Sequence, residues 1–110
     1  MGKTFSSSFG IECTSKAISY CMWKALNLQG YFKEDESDII KPKDLALVIM
    51  AIDSMLYPNE LSEKIIKTFK FYDSDKESEI KENLKQANIL FKDILVYAIA
   101  YDKKISVSYF

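Results

Sequence analysis

Apolar positions in this chain recur with two periods, and the changes between them lay out its elements. At the start, Phe5, Phe9 and Ile11 stand among serines and Gly10 interrupts any helix, so residues 1–13 read as extended. Ala17, Ile18, Cys21, Met22, Ala25 and Leu28 then fall on adjacent helical turns. That spacing predicts a helix over about 16–29, opened by Thr14 or Ser15 as cap and closed by Gly30. The stretch from Lys33 to Asp38 is a charged loop, after which Pro42 suits the first turn of a second helix running to about Leu56.

Tyr57-Pro58-Asn59 breaks the chain. A third helix is predicted over about 60–72, with Leu61, Ile65, Ile66, Phe69 and Tyr72 on one face. Asp73-Ser74-Asp75 is a loop whose Asp75 or Ser74 caps a long fourth helix over about 77–102, carrying Ile80, Leu84, Ala87, Phe91, Ile94, Leu95 and Ala98. The tail from Lys104 to Phe110 alternates with period two, as a strand does, and is expected to pair with Lys3 to Phe9. The fold expected is therefore mainly α: a compact four-helix domain over residues 1–110, with a long C-terminal helix and a short two-stranded β ribbon joining the termini.

Two stretches break the amphipathic rule. Leu45 to Ile52 and Ile94 to Tyr101 are apolar all round and too short to span a bilayer, which takes about 20 residues. Helices of this kind are buried on every side or face a partner. A domain of this size seldom encloses two such helices. Either they pack on each other in the core, or one presents an apolar face outward. Leu47, Met50, Val96 and Tyr97 are the partner-binding candidates on these segments.

Composition narrows the chemistry. All fifteen basic residues are Lys, with no Arg and no His, and the net charge is −1. The usual general base and the bidentate phosphate fork are both missing. Gly is too scarce, at three, for a phosphate cradle. Pairs such as Glu79 and Glu82 read as solvated helix neighbours. Without a basic stripe, specific nucleic-acid binding is not expected. The chain is accordingly read as a non-enzyme with no cofactor. Cys13 and Cys21 are too few for a disulfide framework, which together with the lack of a signal peptide points to the cytoplasm.

One internal similarity stands out. Acidic loops precede both Asp38-Ile39-Ile40-Lys41-Pro42-Lys43-Asp44-Leu45 and Ser78-Glu79-Ile80-Lys81-Glu82-Asn83-Leu84, and an apolar helix follows each. Over about residues 16–98 this resembles a pair of EF-hands. The resemblance places Asp73, Asp75, Glu77 and Glu79 on the first ligand positions of a loop, with Ile80 in its short strand. Calcium also needs Gly at the sharp turn and a bidentate Glu at the loop's end. Ser78 and Leu84 stand there instead, so the resemblance is to a degenerate, calcium-blind pair, with no metal expected. Such proteins, myosin light chains among them, grip a target helix.

The ends add two motifs. Met1-Gly2-Lys3-Thr4-Phe5-Ser6 fits N-myristoylation at Gly2, the one route to a membrane here. Ser108-Tyr109-Phe110 fits the loose form of a PDZ-binding tail, unless it is an internal strand. The working expectation is a non-catalytic, intracellular protein-binding module that regulates or inhibits a partner through a hydrophobic helix face or groove. Its partner is another protein or a second copy. A light-chain-like EF-hand relative, N-myristoylated at Gly2, and a small phage, viral or bacterial accessory factor, such as a host-enzyme inhibitor or immunity protein, are the alternatives.

Overall fold

A computed structural model describes residues 3–110; the Gly2 acylation motif lies outside the described residues. The order of elements is β1 (Phe5–Ser7), β2 (Glu12–Cys13), α1 (Lys16–Leu28), β3 (Ser37–Ile40), α2 (Pro42–Leu56), α3 (Glu63–Phe69), α4 (Glu77–Tyr101) and β4 (Ile105–Tyr109). The mainly-α architecture and the long last helix are as expected. The sheet is larger than a ribbon. It has four antiparallel strands in the order β2-β1-β4-β3, with the two terminal strands at its centre.

Local chemistry sets most boundaries. The Ser15 hydroxyl accepts from the Ile18 N–H and opens α1, while Gly30, at φ +96°, takes the chain out of it. Pro42 occupies the first turn of α2. Helix α3 is shorter than the apolar spacing predicted. Ser62 caps it, Leu61 ahead of the cap gives its N–H to the Glu77 carboxylate at 3.2 Å, and extended Lys70 ends it. Neither Ser74 nor Asp75 caps α4. The N-cap is Lys76, and Asp75 turns its carboxylate back to accept from Phe71 and Tyr72 N–H at 3.1 and 2.9 Å.

The core is organised on α4. Ile80, Leu84, Ala87, Phe91, Ile94 and Ala98, at alternating spacings of four and three, are all buried between α1, α2 and the sheet. Phe91 meets Phe5 of β1 edge-on at 6.0 Å, and Trp23 of α1 stacks on Tyr109 of β4 at 5.4 Å. The helices thus cover one face of the sheet. Each fully buried large apolar side chain contributes about 1.5–3 kcal/mol, so this stripe supports the fold together with the buried residues of α1, α2 and the sheet that face it.

Strands β2 and β3 are the additions to the predicted pattern. Ser37–Ile40 lies in the stretch expected to be loop at its start, yet it pairs with β4 from Ser37↔Ser108 to Ile40↔Ile105. Ile40 turns inward and is buried; Ile39 turns outward. The PDZ-type tail is an internal strand. Tyr109 donates its N–H to the Glu36 carbonyl, and Phe110 donates to Thr4, so the backbone of β4 is engaged on both sides. Among the described residues no helix is long and apolar enough to cross a membrane.

Candidate functional site

The two apolar runs lie on α2 and α4, which pack against each other in antiparallel fashion. Ion-pairing Asp53 and Lys92, 3.7 Å apart, mark one end of the seam, and Pro42 beside Ile99 marks the other. Buried Asn88 of α4 sets the register. Its side-chain amide donates to the Ile49 carbonyl at 3.3 Å and to the Asp53 carboxylate at 2.8 Å. The Nδ2 donors are thereby both satisfied, although Asn88 Oδ1 is buried without a partner, and another register would leave the donors unpaired as well.

Between these two ends the outward side of the seam is apolar except for exposed Lys43, one turn before Leu47. Helical spacing puts Val96 one turn from both Lys92 and Ile99, and Met50 one turn from Asp53. Leu47 follows one turn further along α2. Leu47, Met50, Val96 and Ile99 are 57%, 63%, 65% and 67% exposed. Their inward neighbours Val48, Ile49, Ile52, Ile94 and Ala98 fill the core. Both sequence readings of these helices therefore apply at once, since they pack on each other and also keep an apolar outer face.

Tyr97 lies on the other flank of α4. Its ring stacks between Phe9, from the β1–β2 turn, and Tyr101, each 6.1 Å away. All four candidates read from the sequence are on the surface. Ile99 and Tyr101 join them, with Phe9 half-buried beside Tyr97, and none of these was singled out. Ile99 and Tyr101 sit inside the run already flagged, so only the helical phase was missing. Phe9 comes from a distant part of the chain with no local signal.

The acidic candidates are placed differently. Asp75 and Glu77 spend carboxylate oxygens on backbone N–H groups, and Asp73 and Glu79 are exposed. Among the described residues no three Asp, Glu, Cys or His side chains converge as a metal would require. Burial pushes the Cys21 thiol up to about 12, with the nearby Asp75 charge adding to it, so at neutral pH it is a protonated core group.

A second surface feature is the sheet's uncovered face. Ser6, Ser8, Ser37, Ser106 and Ser108 floor an open groove of about 680 Å³, and Ile39 and Phe110 rise beside it. The chain matches no protein-family model, no curated protein and no solved structure.

Proposed function

We propose that this chain is a non-catalytic protein-binding module that holds an amphipathic helix of another protein along the α2–α4 seam and so regulates or blocks that partner. The observation that carries the reading is the exposure of Leu47, Met50, Val96 and Ile99 on the two packed helices, with Tyr97 and Tyr101 exposed on the other flank of α4 beside Phe9. A soluble domain rarely leaves so many large apolar groups side by side unless something covers them. The shape suits a helix, whose apolar residues at successive turns fit a two-helix groove. Flexible Met50 adapts to an uneven partner surface, and the tyrosines supply large contacts with a polar tip. The Asp53–Lys92 pair gives the rim a polar end. Gripping a target helix is also what the resemblance to calcium-blind EF-hand pairs implies.

The test is to pan a displayed library of amphipathic helices against the protein. Selected helices should bind Met50→Glu and Val96→Glu at least about tenfold more weakly than the unaltered chain, equivalent to about 1.4 kcal/mol. Helices that bind all three alike, or a library that yields none, would refute the reading.

A further inference from the structure

We propose that the uncovered face of the sheet is a self-association surface, on which a second copy of this chain packs across a two-fold axis lying between the sheets and perpendicular to the strands. This surface is separate from the α2–α4 seam, so neither reading depends on the other.

The face is low and flat because serines alternate outward. One rung runs Glu12–Ser6–Ser108–Ser37, and the next joins Ser8, Ser106 and Ile39. Three of the floor's five hydroxyls are already engaged: Ser6 and Ser108 bond each other at 2.7 Å, and Ser8 accepts from the Ser106 N–H at 3.2 Å, while those of Ser37 and Ser106 point to solvent and can bond a facing copy. Covering it therefore strands few polar groups. The large apolar side chains that project from it, among the described residues, are Ile39 and Phe110, 57% and 61% exposed.

Charge divides this face in two. At one end lie Glu34 and Asp35 of the loop before β3, with Glu12 continuing them on β2. Lys33 tempers that end, while Glu36 turns to the other side of the sheet, where it pairs with Lys3 at 3.6 Å beside Tyr109. At the other end, one step beyond the last pair Ile40↔Ile105, Lys41 and Lys104 continue the outward alternation, beside Lys103 and Asp102. A two-fold of the stated direction reverses each strand over its own copy. It sets Lys41 of one chain near Glu34 and Asp35 of the other, twice over, and lays each Ile39 on the other's serine floor. Parallel stacking would set like charges together instead. The acidic end is held in shape: Asp38 accepts from the Phe32 and Ile39 N–H groups at 2.9 and 2.8 Å. The second of these bonds also occupies an outward donor of edge strand β3, which disfavours growth of the sheet sideways.

Four strands about 4.8 Å apart and five residues rising about 3.4 Å each make a face of about 15 by 17 Å. That is small for an interface, so the dimer should be weak and concentration-dependent.

Sedimentation equilibrium on three proteins tests it: the unaltered chain, an acidic form (Lys41→Glu with Lys104→Glu) and a basic form (Glu34→Lys with Asp35→Lys). The unaltered chain should dimerise, and about tenfold more salt should weaken it, since the Debye length falls from about 10 to about 3 Å between about 0.1 and about 1 M. Each altered form alone should be monomeric, and their equimolar mixture should restore a dimer, because both ends are again complementary. Ser106→Trp, which fills the floor without touching a charge, should also be monomeric. A chain monomeric at every concentration, a mixture that stays monomeric, or a dimer indifferent to all these changes would overturn the proposal.

Discussion

Ser19 shows how much a single hydroxyl can decide. It is fully buried in α1, where it accepts from the Phe5 N–H at 3.0 Å and donates to the Cys13 carbonyl at 3.1 Å. It thus bridges β1 and β2 at residues that share a register position, and ties the first helix to the sheet. Ser19→Ala should cost about 1–3 kcal/mol by leaving a buried N–H without a partner. In denaturant the midpoint should fall with the slope unchanged. The apolar spacing of α1 was legible, but a serine inside that spacing looks like any surface serine until a strand is packed against it. Tyr31 offers a pH-dependent counterpart. Its hydroxyl donates to Asp44 at 2.5 Å, and burial, then that bond, raise its pKa from 10.0 to about 12. Between those values the folded state keeps a proton that the unfolded state releases. The stability from this group is therefore complete below pH 10 and is lost as pH rises through about 12. Tyr31→Phe should be less stable than the unaltered chain at pH 7 and lose stability less steeply through that window, so the two pH curves of chemical unfolding converge.

At the scale of elements, the long helices were legible because each carries several turns of one period. Pro42, Gly30 and Tyr57-Pro58-Asn59 punctuate them with the backbone chemistry their positions demand. The strands were legible only where serine and apolar residues alternate, at Phe5–Ser7 and Ile105–Tyr109. Strand β3 was hidden because its outward Ile39 breaks the alternation and its charges belong to a loop. What makes it a strand is pairing with β4, together with Asp38, which holds Phe32 at φ +56° through the N–H of that residue. Asp38→Ala should release this clamp and lower stability by about 2 kcal/mol, from two lost charge-assisted bonds. Hydrogen exchange at Phe32 and Ile39 should then rise ahead of global unfolding. The end of α4 predicts the opposite sign. Asp102 is left-handed there, at φ +49°, a conformation that glycine adopts without strain. Asp102→Gly should stabilise the chain by about 0.5–1 kcal/mol, read as a higher denaturant midpoint.

For the whole molecule, the candidate surface was half legible. The two apolar runs announced helices with more apolar faces than one small core can enclose, and Leu47, Met50, Val96 and Tyr97 are on the outside. That Leu47 and Met50 share a side of the molecule with Val96 depends on the antiparallel packing of α2 on α4. Asn88 and Asp53 set that packing through contacts 35 residues apart in the chain, which no local window contains. The serine face has the same character: its two halves come from opposite ends of the chain. The central claim is that the α2–α4 strip is a binding surface and not surplus core. The most direct measurement is to compare the double variant Met50→Glu with Val96→Glu against the unaltered chain, reading thermal midpoint and partner capture from source cells side by side. Substitutions at exposed sites usually change stability by less than about 0.5 kcal/mol, so the midpoint should shift by only a few degrees while the captured protein disappears. A collapse of the midpoint would assign these residues to the core, and capture that survives the double substitution would contradict the account.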